Sequence, residues 1–305
     1  MFDDIFPKRF TKDSLGVIVD NDLHRDDKIT DFYDVAPFPN YKNNQSISEL
    51  INTGRSNLFI SQIVRLLKPG DKFLEAGCGT GQVTNFLAAS TNATIFGSDL
   101  TYESLKLGAE FRNKNNLANA HFIRHNILQS PLPENYFDYV WCSGVLHHTP
   151  DPYGGYVKLL SSLKPGGLIF IGLYNKYARI RTVFRQKLYQ FGPIGKRVVR
   201  SLDPVMRACA NDNEKLKAWE RDQYIHPRES LHTVDEVKDW FKQHGVDYIS
   251  SVPRLDFANL NQPHFLQKEE SRSNAFYRAA QLALLFENIG SEGGLIVHVG
   301  QKNEV

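Results

Sequence analysis

The stretch Leu74-Glu75-Ala76-Gly77-Cys78-Gly79-Thr80-Gly81-Gln82 constrains this chain most, because a short apolar run feeds a glycine turn that opens a helix near Gln82. Strand, glycine turn and helix in succession make a binding junction. The glycines let the backbone approach a ligand where a Cβ would intrude, and the first N–H groups of the helix point at it. The glycines run G-x-G-x-G, with Gln82 where the last glycine of a dinucleotide-binding G-x-G-x-x-G belongs, which disfavours a pyrophosphate. No Lys-Ser or Lys-Thr follows Gly81, which disfavours a nucleoside triphosphate.

A strand expected over Ala93–Ser98 ends on Asp99, 22 residues beyond Gly77. An acid at the tip of the neighbouring parallel strand can accept both ribose hydroxyls of an adenosine lying across the strand ends. It can equally cap the helix expected from Tyr102 to Phe111, a job also open to Thr101. The glycine turn, written Glu-x-Gly-x-Gly-x-Gly, resembles motif I of the class I S-adenosylmethionine-dependent methyltransferases, and Ser143-Gly144-Val145-Leu146-His147-His148-Thr149-Pro150-Asp151-Pro152 resembles the small-molecule members of ubiquinone and menaquinone biosynthesis. The resemblance implies S-adenosylmethionine as cofactor and S-adenosylhomocysteine as product, held by Glu75, Gly77, Cys78, Gly79, Gly81, Asp99, Leu100, Asn126, Ile127 and Ser143. Asn126 stands where that family often has an Asp for the adenine amine; its amide oxygen can accept the same bond, or close an Asx-turn.

Strand and helix patterns alternate across residues 70 to 173 and return after residue 232, so the fold class is α/β. The expected architecture is a Rossmann-like, doubly wound, seven-stranded and mostly parallel sheet, with helical insertions after strand 5 and between the last two strands. Residues 1–45 read as a loop-rich arm that either packs on the core or covers the site. Residues 46–173 read as the cofactor-binding core, 174–231 as a basic helical insertion, and 232–305 as the completion of the core around a further helical insertion at about 253–294. Within this plan a helix over Ser48–Leu67 breaks near Gly54, Lys164-Pro165-Gly166-Gly167 makes a tight turn, and Thr233-x-x-Glu236 forms a capping box.

Methyl transfer from a sulfonium is an in-line displacement that asks mainly for alignment and exclusion of water, with a general base if the acceptor is a hydroxyl or an acidic carbon. His147 and His148, on the loop after the fourth strand, and His226 are the candidate bases; each can instead be a packing residue. Tyr33, Tyr174, Tyr224 and Arg228 are candidate acceptor contacts, Arg228 for a carboxylate or phosphate. His226 and His232 lack helical metal-ligand spacing and Cys companions, so no metal is expected. The chain also lacks the Asp/Asn-Pro-Pro-aromatic motif and the Pro-Cys nucleophile of enzymes that methylate adenine, glutamine or cytosine. Methylation at oxygen or carbon of a small or medium organic acceptor, with an anionic one in view, is therefore the first reading.

The alternatives are an RNA-modifying methyltransferase using the basic insertion and a NAD-dependent oxidoreductase, against which Gln82 argues. In that insertion Tyr177, Ile180, Phe184, Leu188 and Phe191 recur at helical steps among Lys176, Arg179, Arg181, Arg185 and Lys187. Such a face serves as a solvated lid or docks an anionic substrate, a membrane surface or nucleic acid. Three unpaired-looking cysteines, the acidic N-terminus and the want of a long apolar run point to a cytoplasmic protein without a transmembrane segment. The later insertion also offers a homodimer contact.

Overall fold

Apolar runs bounded by turns pair into one mixed sheet in the computed structural model, which describes residues 9–24, 30–32, 46–129, 131–256, 264–270, 272–284 and 294–304. In chain order the elements are β1 (Phe10–Lys12), β2 (Ile18–Asp20), α1 (Ile47–Ser56), α2 (Leu58–Leu66), β3 (Lys72–Ala76), α3 (Gln82–Ser90), β4 (Thr94–Asp99), α4 (Tyr102–Lys114), β5 (Ala120–Arg124) and β6 (Phe137–Ser143). There follow α5 (Pro152–Ser162), β7 (Leu163–Tyr174), α6 (Ile180–Tyr189), α7 (Gly192–Leu202), α8 (Pro204–Ala208), α9 (Asn213–Glu220), α10 (Val234–Gln243), β8 (Val246–Val252), α11 (Asn274–Ala283) and β9 (Leu295–Lys302).

The sheet has nine described strands in the order β1-β2-β5-β4-β3-β6-β7-β9-β8. The run β5-β4-β3-β6-β7 is parallel, and β9 lies antiparallel between β7 and β8. The strand order reverses between β4 and β6 on either side of β3, so β3 is the switch point where open α/β sheets bind ligands at their carboxyl edge. The seven strands expected from the sequence are present, and two more come from the segment read as a loop-rich arm. There β1 and β2 pair antiparallel, and β2 runs parallel to β5. Strands of three residues are too short to show a two-residue period, which is why the pattern did not announce them.

Alternation along the parallel strands splits the core into two layers. Leu74, Ala76, Ile169 and Ile171 pack with Tyr156 and Leu159 of α5 and Val237 and Phe241 of α10. Phe73, Leu168 and Phe170 pack with Leu50, Ile60, Ile63 and Phe86 from α1, α2 and α3. Gly54 does not break the first helix. It lies inside α1, and glycine is needed there because a Cβ would stand 2.3 Å from the Phe86 ring. The break falls at Asn57, whose side-chain oxygen accepts from the N–H groups of Phe59 and Ile60 and so caps α2. Lys164–Gly167 is likewise not a turn between elements: β7 runs through it, and the register against β6 slips between Phe137 and Tyr139 to absorb the extra residues. The capping box at Thr233 and Glu236 forms as the spacing requires.

His125, just past β5, is 1% exposed, and neither ring nitrogen has a hydrogen bond among the described residues. Burial pushes its pKa down to about 4, opposed by Asp20. The unfolded chain therefore binds more protons than the folded one between the free histidine value and about 4, and this residue's contribution to stability falls as the pH drops through that window. In His125→Phe the penalty is gone. The melting temperature of the variant should exceed that of the wild type by more near pH 5 than near pH 8; an equal difference at both would show that His125 is not held neutral.

Candidate active site

The glycine turn leaves β3 with Gly77, Gly79 and Gly81 all at positive φ, 75°, 52° and 70°. The N–H groups of Gly77 and Cys78 both donate to the Ser98 carbonyl at the end of β4, at 2.7 and 2.9 Å. A Cβ at Gly77 would overlap Val145, and one at Gly81 would overlap Phe122, so both positions are closed to other residues. Gly81 is the N-cap of α3 and supplies no side-chain cap, whereas α1, α2, α5 and α10 are each capped by a side chain. The start of α3 thus presents backbone donors at the switch point, suited to the carboxylate end of a bound amino acid.

Asp99 closes β4 beside that turn. Its Oδ2 accepts from the Gly79 N–H and its Oδ1 from the Thr101 N–H, both at 2.9 Å. Burial raises its pKa, and these backbone donors oppose the rise. It is not the cap of α4; that place belongs to Thr101. Glu75 turns the other way. It accepts the Thr84 hydroxyl on α3, and burial pushes its pKa up to about 7, so it ties helix to strand within the protein. The Cys78 side chain packs with Leu105, Ala109 and Phe122, leaving only its backbone at the turn.

Beyond β5, the Asn126 oxygen accepts from the Leu128 N–H at 3.0 Å as an Asx-turn, and its Nδ2 donates to the His24 carbonyl at 3.0 Å. Ile127 packs on the core, the Leu100 carbonyl accepts from Arg124, and Ser143 ends β6 against Gly172. The residues expected to hold the cofactor lie along the carboxyl ends of β3, β4, β5 and β6, but the side chains of Glu75 and Cys78 turn into the protein. A glycine cradle closed to a Cβ at Gly77 and Gly81, the N-terminus of α3 and an acid at the tip of β4 fit S-adenosylmethionine.

The histidines meet on the neighbouring side. His147 and His148 form a single 3₁₀ turn after β6. His147 is fully buried, stacks on Tyr174 at 3.9 Å, and accepts the Tyr174 N–H at Nδ1, so its proton sits on Nε2. Burial drives its pKa well down. A ring with its acceptor nitrogen engaged and its other nitrogen protonated is no base, which corrects the expectation for His147.

His148 and His226 stack with ring centroids 3.7 Å apart, and each places Nδ1 2.7 Å from the carbonyl oxygen of Arg228. A carbonyl only accepts, so both Nδ1 atoms carry the proton and each Nε2 keeps a lone pair. The Arg228 N–H also lies 3.3 Å from His226 Nδ1, but the shorter carbonyl contact decides the tautomer. Burial pushes both rings down to about 4, so both are neutral near pH 7. Phe32, from the N-terminal arm, stands edge-on to His226 at 5.0 Å under the Arg221 guanidinium.

One network was hidden in the sequence. Arg179, placed there on the basic face, is fully buried and forks onto Glu229, with Nε–Oε1 at 2.8 Å and Nη2–Oε2 at 2.6 Å. It donates to Gln223 and lies 3.4 Å over the Tyr174 ring, while the Tyr174 hydroxyl accepts from Gln223. Tyr174 is thus sandwiched between His147 and Arg179 as a wall of the histidine cluster. The available signal was the step 179-182-186-189, which is polar yet is the inward face of α6.

Tyr224 departs from expectation as well. Its hydroxyl is held by Asp203 and its ring stacks on Tyr189, in a cluster of the insertion apart from the histidines. Arg228 serves the cluster through its carbonyl. Tyr33 lies outside the described residues. No group of three or more His, Cys, Asp or Glu among the described residues is placed to hold a metal; His232 bonds to Ser230 and Glu236 instead.

Residues 74–171 match the methyltransferase domain family, a span that runs from the glycine turn through β7. That span is about a third of the chain, and over it the chain is similar to the class I S-adenosylmethionine-dependent methyltransferases. It is 27% identical over 203 residues to an uncharacterised protein of Synechococcus sp., covering 60% of this chain and 49% of that one. To cycloartenol-C-24-methyltransferase of Arabidopsis thaliana it is 33% identical over 104 residues, covering 33% of this chain and 30% of that one. The chain therefore spans about half or less of the length of these relatives. Among solved structures, PKMT2 from Rickettsia typhi superimposes with a TM-score of 0.59 at 16% identity, over 88% of this chain and 56% of that one, a likeness of fold.

Two substitutions test the cradle. Gly81→Ala forces a left-handed alanine against Phe122 and should cost about 2 kcal/mol or more in denaturant unfolding. Asp99→Ala should weaken S-adenosylhomocysteine roughly 10- to 100-fold in titration calorimetry, by loss of charge-assisted bonds to the ribose. Unchanged binding would remove Asp99 from the site.

Proposed function

We propose that this protein transfers a methyl group from S-adenosylmethionine to an oxygen or carbon of a small or medium organic acceptor, with His148 as general base and His226 stacked behind it. The observation that carries this reading is the single Arg228 carbonyl holding Nδ1–H of both rings, which leaves two neutral imidazoles with Nε2 lone pairs at the carboxyl edge beside the cofactor cradle. When bound, the cofactor supplies an electrophilic methyl on a sulfonium and leaves as S-adenosylhomocysteine. The protein's own part is to hold and to deprotonate. The backbone of Gly77 to Gly81 and the start of α3 hold the amino acid end, Asp99 the ribose and Asn126 the adenine amine. His148 Nε2 takes the acceptor's proton as the bond forms, and the Arg228 carbonyl stabilises the charge that then appears on the ring.

In this reading residues 46–173 bind the cofactor, 174–231 wall the acceptor, and the 1–45 arm covers the site, with Phe32 against His226 and the His24 carbonyl on Asn126. Tyr174 and the Arg179–Glu229 pair exclude water without adding net charge. The likeness to cycloartenol-C-24-methyltransferase, a protein named for methylation at carbon, supports a carbon acceptor. The RNA reading is weakened because Arg179, one of the basic residues of its proposed surface, is buried and ion-paired.

Incubating a cell extract with methyl-labelled cofactor and the enzyme, followed by mass spectrometry, should reveal a labelled organic product. His148→Asn should lower its formation roughly 10²- to 10⁴-fold while S-adenosylhomocysteine binding persists. Full activity in that variant would overturn the base assignment. Cofactor binding with no labelled product would instead indicate a non-catalytic subunit.

A further inference from the structure

Six of the ten most exposed large apolar side chains among the described residues fall within residues 180–202: Ile180 at 46%, Phe184 at 59%, Phe191 at 75%, Ile194 at 79%, Val198 at 40% and Leu202 at 50%. Their spacing is regular. Ile180 and Phe184 form a four-residue row on α6, Ile194, Val198 and Leu202 form another on α7, and Phe191 sits at the bend between them. The two helices pack closely, with the Leu188 carbonyl against Gly195, where a Cβ would stand 1.9 Å away. Tyr189 of α6 and Val199 of α7 point into one cluster with Met206. The rows on the opposite sides of both helices therefore face away from the protein together.

Charge tells what covers this face. Arg181, Lys187, Lys196 and Arg197 are exposed around it, and the chain has no Asp or Glu from Pro152 to Leu202. All six apolar groups are aliphatic or phenyl residues that gain nothing from a phosphate backbone, which argues against RNA; an apolar row rimmed by cations fits a bilayer whose headgroups are anionic. No described helix is long and apolar enough to cross a membrane, so the attachment is to one leaflet. We propose that the α6–α7 hairpin docks the protein onto anionic lipid bilayers, the apolar rows entering the headgroup boundary and the basic rim pairing with lipid phosphates. Arg179 immediately precedes α6 and braces Tyr174, so docking through this hairpin sets the histidine cluster close to the bilayer, within reach of a lipid-borne acceptor. That last step rests on the methyl-transfer reading; the docking itself does not.

Flotation of the full chain with vesicles tests it without reference to activity. Phosphatidylcholine vesicles containing about one third phosphatidylglycerol should carry the protein at least roughly 10-fold better than phosphatidylcholine alone. Phe184→Ser with Ile194→Ser should lose that binding while circular dichroism and S-adenosylhomocysteine titration stay as in the wild type. Lys187→Glu with Lys196→Glu and Arg197→Glu should remove the preference for anionic lipid. In the wild type, hydrogen exchange across residues 180–202 should slow on adding the anionic vesicles, a readout independent of any variant. Failure to float, or flotation indifferent to both sets of substitutions, overturns the proposal. So does a homodimer that Phe184→Ser with Ile194→Ser dissociates, or salt-sensitive RNA binding at the same residues in place of vesicle binding.

Discussion

The site is organised by the pair of hydrogen bonds that Gly77 and Cys78 donate to the Ser98 carbonyl. They fasten the turn leaving β3 to the tip of β4, and so fix where α3 begins and where Asp99 stands. Two adjacent donors on one carbonyl require the chain to double back at positive φ, which only glycine does without strain. From that fastening follow the place where α3 starts and the Gly79–Asp99 bond. The histidine loop belongs to the same construction, because the Val145 side chain occupies the space that a Cβ on Gly77 would need.

A second constraint governs the acceptor side, where ionisable groups are kept from carrying net charge in a dry place. Arg179 is matched by Glu229 and covered by Tyr174, and both His148 and His226 are neutral because burial penalises the cation more than the Arg228 carbonyl rewards it. The carbonyl does a further job by choosing the tautomer. Without it, two stacked imidazoles would exchange protons between nitrogens; with it, both present the same lone pair. His147, one residue away, has the opposite tautomer because a backbone N–H occupies its Nδ1.

The insertion after β7 shows the converse of a core helix. Its inward face carries Thr182, Gln186 and Arg179 onto a polar network, and its outward face carries Ile180 and Phe184. Helical spacing identifies an amphipathic helix equally well in either orientation, since a periodic pattern has no sign. Burying the polar face is sustained by the partners that Glu229 and Gln223 provide some forty to fifty residues later in the chain.

The sequence by itself determined the parallel core, the glycine turn, the acid at the end of β4 and the capping box at Thr233, because each is written in local spacing: alternation, positive-φ glycines, and cap residues three positions apart. The likeness to the methyltransferase domain family rests on the same residues. Only the tertiary structure decided that β1 and β2 extend the sheet, that Asn57 and not Gly54 divides the first helix, and that Glu75 serves Thr84. It alone decided that Tyr224 binds Asp203, that Arg179 is interior, and that His148 and not His147 has a lone pair to offer. Those outcomes depend on partners brought from distant parts of the chain. Gly54 marks the close approach of Phe86 to α1 and not a helix break, and a histidine is a base or a packing residue according to which carbonyl or N–H the fold sets against Nδ1.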